Sequence, residues 1–334
     1  MRQLLQSTHA CTLLKAERTE GRLNHAYLLI FDDARNLKTA LKEFSKIFFG
    51  ADGEGADAER ISRLIDEENF SDCMFFPESG KKFSVEDAER ILEESALKPV
   101  EGNKKLFVAG DFAEATTQAQ NKLLKLLEEP PEGVYFLLGA TVSFSVLPTI
   151  LSRTEKLEIP PFTQREVTAC LNRLYPGKES ETGLCAAASG GSVGAAQNIL
   201  EGGYYKQLVL DAFELAETDP FRLPSIVKRV GETKYKKELV SLLRLIFRDA
   251  LLLKTSKING VAPSDKTGKN RAENYLMLKS ELGRLKSISD YYRLTALITA
   301  QEALSEAEKQ IRFNAVFPQC LEICMAKIIE QNNR

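Results

Sequence analysis

The sequence predicts an α/β domain built on a parallel sheet, followed by a region that is all helix. Two observations predict it. Over roughly the first 160 residues, short apolar runs alternate with segments of helical apolar spacing, and after "IPPFT" (159–163) the strand-like runs stop. Strands alternating with helices imply parallel pairing, because each crossover lays a helix over the sheet. A chain of 334 residues also exceeds one compact core, so two or three domains are expected.

Taken in order, "HAYLLIF" (25–31) reads as a buried strand, and "TALKEFSKIFF" (39–49) has the apolar spacing of a helix. "ADGEGAD" (51–57) is a loop, followed by a helical segment near 58–68 and a short strand, "CMFF" (73–76). "SVEDAERILEESA" (84–96) reads as a helix, with Ser84 and Asp87 spaced as a capping box in which Asp replaces the usual Glu. "KKLFVAG" (104–110) is the next strand and 115–128 the next helix; "GVYFLLGA" (133–140) and "EKLEI" (155–159) supply two more strands. Beyond them lie a short helical region (164–200) with a Gly-rich turn, "ASGGSVGAA" (188–196), and then amphipathic helices, notably 234–254 and 291–331. A polar, basic segment at 254–274 reads as a helix-to-helix connection. The expected domains are 1–162, 163–205 and 206–334.

Composition narrows the class. With 43% hydrophobic and 28% charged residues, the chain has the make-up of a soluble globular protein. No apolar run reaches the roughly 18 residues of a membrane span, and the N-terminus lacks an apolar signal core, so a cytoplasmic location is expected. The six cysteines are far apart and form no CxxC pair; Cys320 and Cys324 fall at i,i+4 within an apolar helical pattern. Reduced thiols are expected, with no metal. A formal charge of −2 gives no global sign of nucleic-acid binding.

The most specific string is "NKLLKLLEEPPEGVYFLLGATVSFSVLPTILSRTEKLEIPPF" (121–162). Leu123, Leu124, Leu126 and Leu127 form the apolar stripe of a helix, Pro130 and Pro131 stop it, and Gly133 turns the chain into a strand. By itself this is an ordinary helix, turn and strand. The string nevertheless resembles the clamp-loader branch of the AAA+ ATPases, which carries N-x-LLK-x-LEEPP, a strand, and LP-T-I-x-SR. The likeness extends to "RLNHAYLL" (22–29), "ALKPVEGNKKLFVAGD" (96–111) and "IRFNAVFPQCLEICMAKI" (311–328). It implies an AAA+ nucleotide-fold domain at 1–162, a helical lid at 163–205 and a helical collar at 206–334 that joins subunits in a ring.

The family contains ATP-hydrolysing subunits and companions that do not hydrolyse. A phosphate loop reads G-x-x-x-x-G-K-[ST], its glycines letting backbone N–H groups close on phosphate. Aligned on Lys38 and Thr39, those glycines are Asp32 and Leu37. Each of Asp32 and Asp33 near a phosphate at about 5 Å costs roughly 3 kcal/mol at an effective dielectric near 20, about two decades of affinity. Lys38 then reads as an exposed lysine at a helix start. Counting back from Asn121 as in the family, the metal-binding aspartate falls on Gly110, with Asp111 beside it, and in the family's lid pattern G-x-x-R-x-A-x-x-x-L the arginine falls on Gly194 of "GGSVGAAQNIL" (190–200). Thr141 falls near the sensor-one position. His25 matches a family histidine and reads as packing.

Ser152 and Arg153 remain. They match the pair that the family presents to a neighbour's ATP, where an arginine stabilises charge on the transferred phosphoryl group; otherwise Arg153 caps the preceding short helix. An intact pair with a broken phosphate loop is similar to the delta-prime type of the family: no nucleotide or metal of its own, no ATPase activity alone, and a place in the DNA polymerase holoenzyme. The partners implied are the gamma/tau ATPase and delta subunits in a hetero-pentameric ring, and through it the sliding clamp and primed DNA. The four-cysteine zinc module of many relatives has no counterpart at 50–72. Two alternatives stay open: an active motor subunit with an atypical loop, and a delta-like clamp-opening subunit. Lys104 and Lys105 are either DNA-facing or exposed strand-edge lysines.

Overall fold

The computed structural model describes residues 1–77, 82–258, 275–278, 281–313 and 315–333. It divides into two compact units, Met1–Pro161 and Phe162–Arg334. The first holds α1 (Arg2–Gln6), α2 (His9–Thr19), β1 (Ala26–Phe31), α3 (Ala34–Phe48), α4 (Ala56–Asp66), β2 (Cys73–Phe76) and α5 (Val85–Ser95). It continues with β3 (Lys105–Asp111), a 3₁₀ turn (Phe112–Glu114), α6 (Thr117–Glu128), β4 (Val134–Ala140), α7 (Pro148–Leu151) and β5 (Glu155–Ile159). The five strands form one sheet in the order β2-β3-β4-β1-β5, every pair parallel.

Alternation along β1 sends Ala26 and Leu28 to one face and Tyr27 and Leu29 to the other, all fully buried, so both faces must be covered. On one side Leu28, Phe107, Phe136 and Leu138 pack with Ile91 of α5 and Leu123 and Leu127 of α6; the Phe107 and Phe136 rings stack at 5.7 Å. On the other, the Tyr27 ring meets Phe48 of α3 edge-on at 5.6 Å. Local signals set the boundaries. Ser84 and Asp87 complete the capping box at the start of α5. Glu129 leaves helical geometry ahead of Pro130, and Gly133 takes φ +78, with no room for a Cβ against the Asn103 carbonyl oxygen at 2.5 Å.

The second unit is helical: α8 (Gln164–Leu174), α9 (Glu179–Ala188), α10 (Val193–Gly202), α11 (Tyr205–Ala216), α12 (Leu223–Val230) and α13 (Lys236–Ile258). After these come α14 (Leu282–Tyr291), α15 (Leu294–Arg312) and α16 (Phe317–Asn333). Leu239, Leu243, Ile246 and Phe247 of α13 are buried, as are Leu297, Ala300 and Leu304 of α15. Two sequence expectations need correction. The helix expected over 291–331 is two helices, α15 and α16, after Tyr291 ends α14; Pro318, which lacks a backbone donor, is tolerated in the first turn of α16 but not inside a continuous helix. The connection expected at 254–274 is helical to Ile258; its remainder, 259–274, lies outside the described residues. All six cysteines are buried free thiols. Among the described residues no helix is long and apolar enough to cross a membrane, and no cluster of three or more His, Cys, Asp or Glu could hold a metal.

Candidate functional site

Leaving β1, the chain crosses to the far edge of the sheet, returns through β3 and β4, and only then reaches β5 on the other side of β1. Open parallel sheets bind ligands at such a reversal, outside the carboxyl ends of the strands. Asp32 and Asp33 follow β1 there, Gly110 and Asp111 end β3, and Thr141 follows β4. The first unit therefore gathers those of its residues that align with a nucleotide site; Gly194 is buried in the first turn of α10 in the second unit.

The helix after β1 starts earlier than its apolar spacing suggests, at Ala34 rather than Thr39. Most of the span aligned with a phosphate loop is thus regular helix, and only Asp32 and Asp33 connect it to the strand. Asp33 is the N-cap, only 2% exposed. Its Oδ1 accepts from the Asn36 backbone N–H at 3.2 Å and its Oδ2 from the Asn36 side-chain amide at 3.0 Å. A carboxylate of the chain itself thus occupies the helix N-terminus, where unpaired N–H groups and the helix dipole would otherwise attract phosphate. Leu37 is buried.

Lys38 stands in the second turn of α3, not at its start, and its Nζ lies 2.7 Å from Glu68 Oε1. Lys42 reaches the same oxygen at 2.7 Å. Burial works against the charge of Glu68, but the two ammonium groups hold its carboxyl below the ordinary range. Thr39 is exposed on the helix surface.

At the end of β3, Asp111 is tied to the neighbouring strand. Its Oδ1 accepts from the Thr141 N–H at 3.2 Å, and its Oδ2 from the Thr141 hydroxyl at 3.0 Å. Gly110 sits in a register irregularity between Ala109 and Asp111. A Cβ added there would meet the Phe76 carbonyl oxygen at 3.3 Å and Pro77 Cδ at 3.4 Å, so the backbone of β2 crowds the position of the missing carboxylate.

Ser152 and Arg153 lie at the opposite end of the structure's logic, on the surface after α7. Arg153 NH1 donates to the Thr149 carbonyl at 2.7 Å and to Ser152 Oγ at 3.2 Å, and NH2 pairs with the Glu128 carboxylate at the end of α6. The helix-capping geometry weighed from the sequence is therefore present. These residues line a pocket of about 380 Å³ with His25 and Leu127. His25 Nε2 bonds the Leu127 carbonyl at 2.9 Å, a packing contact that secures the end of α6.

Three residues escaped the sequence reading. Glu68 and Glu128 are remote in sequence from the lysine and arginine they meet. Gln120 is 2% exposed; its amide donates to the Ala115 and Ser145 carbonyls and its oxygen accepts from Leu147 N–H, pinning the turn that leads into α7. Its place beside "NKLLK" was the only available signal. Lys104 and Lys105 are not exposed strand-edge lysines: Lys105 is buried against Glu94 at 2.8 Å, and Lys104 donates to the Phe48 carbonyl, its pKa lowered by burial and the nearby Arg18.

Known proteins give this geometry a context. Residues 6–163 match the family model described as "DNA polymerase III, delta subunit". The Bacillus subtilis DNA polymerase III subunit delta' is 28% identical over 150 residues, 44% of this chain and 46% of that protein. The Mycobacterium tuberculosis gamma/tau subunit is 26% identical over 174 residues, 50% of this chain and 30% of that protein. The Escherichia coli tau subunit is 32% identical over 152 residues, 43% of this chain and 23% of that protein. The chain thus spans less than half the length of each of these relatives. The likeness is carried by the first unit, whose residues 6–163 are similar to DNA polymerase III clamp-loader subunits.

Proposed function

We propose that this chain is a non-hydrolysing, delta-prime-like subunit of a DNA polymerase III clamp loader, working in the cytoplasm. It joins gamma/tau-type ATPase subunits and a delta subunit in a hetero-pentameric ring. Within that ring it presents Arg153, with Ser152, to the ATP of a neighbour, and so supports loading of the sliding clamp onto primed DNA. Residues 163–205 act as the lid and 206–334 as the collar through which the ring assembles.

The observation that carries this reading is Asp33. Its buried carboxylate caps the very helix whose N-terminus holds phosphate in nucleotide-binding relatives of this topology. The engaged Lys38, the crowded Gly110 and the absence of a side chain at Gly194 support the same conclusion. Arg153, by contrast, keeps a guanidinium at the surface, a third exposed. An arginine supplied to another subunit's phosphoryl transfer contributes on the order of 10³- to 10⁵-fold in rate.

The test is reconstitution of the full-length chain with motor subunits, delta, clamp and primed DNA. Arg153→Ala is expected to leave the ring assembled while lowering DNA-stimulated ATPase and clamp loading by at least about tenfold. Full-rate loading by that variant would sink the finger assignment. A purified chain that bound ATP with micromolar affinity would instead favour the motor reading.

A further inference from the structure

The surroundings of Arg153 contain more than a finger needs. Both NH1 protons are committed within the chain, to the Thr149 carbonyl and the Ser152 hydroxyl, and NH2 is committed to Glu128. A phosphate oxygen approaching the forked end of the guanidinium would find NH1 occupied and a carboxylate beside NH2. Glu128 and a phosphate oxygen drawn to the same NH2 group would repel each other as like charges, so an arriving phosphate works against the Glu128 contact. Glu128 itself is the last residue of α6, 47% exposed, and opens onto the pocket shared with His25 and Ser152. It is therefore free to swing away without disturbing the core.

We propose that Glu128 is a positioning residue that holds Arg153 against its own subunit until the anionic phosphates of a neighbour's nucleotide displace it. The inference rests on the finger reading above. Because the pair is solvent-exposed, the hold is weak, and a nucleotide triphosphate, carrying more charge than one carboxylate, is a sufficient competitor. The arginine is thus kept ordered near the surface yet neutralised until a stronger anion arrives.

The test uses the reconstituted ring with full-length variant chains, and reads ATPase rate against ATP concentration. Glu128→Gln keeps the shape and removes the charge. It is expected to raise kcat/KM by about two- to fivefold at low salt, the range of an exposed ion pair. The advantage should shrink as salt rises, since a screened carboxylate competes less. In the double variant with Arg153→Ala, the Gln substitution should have no effect, which a merely structural Glu128 would not produce. Thermal unfolding of the Glu128→Gln chain should match that of the original. If Arg153→Ala abolishes stimulation but Glu128→Gln leaves kcat/KM unchanged or lower, the hold is disproved and the finger stands. If Arg153→Ala has no effect, both fall.

Discussion

Two lysines one helical turn apart converge on a single oxygen of Glu68, a residue whose backbone adopts φ +60. Non-glycine residues visit that region reluctantly, so the carboxylate contacts help to hold a strained turn after α4. The consequence for pH follows from the lowered folded pKa. The unfolded carboxyl titrates near 4.3, so the contribution is complete above about pH 5 and is lost as pH falls through the lower folded value. Glu68→Gln should lower the melting temperature by an amount worth up to ~1 kcal/mol at neutral pH, with the gap to the original chain closing in acid. A pH-independent gap in melts from pH 3 to 7 would contradict this assignment. At Gly110, introducing Asp to rebuild a metal-binding carboxylate should destabilise the chain, because the Phe76 carbonyl must move to admit the new Cβ. Calorimetry with and without magnesium should then show a lower melting point and no metal-dependent rise.

The same reasoning extends from residues to α3 as a whole. Putting glycine back at 32 and 37 would not rebuild a phosphate loop, because the helix already begins at Ala34 and the Asn36 N–H of its first turn is taken by the Asp33 carboxylate. The Asp32→Gly/Leu37→Gly chain should gain no measurable ATP affinity in a titration, and should melt lower through loss of the buried Leu37 side chain. The turn between β4 and α7 depends on Gln120 in a comparable way. Gln120→Ala leaves the buried Ala115 carbonyl and the half-buried Leu147 N–H without their side-chain partner and should cost about 1–3 kcal/mol, read as a drop in denaturation midpoint. These elements also show where sequence reasoning reaches its limit. The strands, the capping box at Ser84 and the stop at Pro130 were legible because each is encoded within a few residues. The true start of α3 was missed because it is set by an aspartate cap on a polar first turn, ahead of the apolar repeat that marked the rest. The partners of Lys38 and Arg153 were illegible for another reason: Glu68 and Glu128 are brought to them by the crossovers of the sheet, and no local pattern records that.

At the scale of the whole chain, each of the two units has its own core. The first contains a complete sheet, both of whose edge strands and all of whose covering helices lie within Met1–Pro161. The second is knitted by contacts such as Arg244 NH1 to Glu308 at 2.6 Å and by buried Asp249, which accepts from the Met277 and Leu278 N–H groups at 2.8 and 3.0 Å. The fold class and the likeness to clamp-loader subunits were readable from the sequence because the alternation of strand and helix, and nearly all of the string at 121–162, belong to the first unit. The second unit offered two shorter likenesses, at 190–200 and 311–328, and otherwise amphipathic helices, whose pairing depends on which faces meet. Finally, every native thiol is buried, and burial pushes Cys185 and Cys324 up to about 12 and Cys73 higher still. Alkylating dyes react with thiolates, so the unaltered chain is its own silent background. A single cysteine placed at exposed Lys156, three residues from Arg153, would carry the only fluorophore and test whether a neighbouring subunit packs there as proposed, without any native cysteine having to be removed.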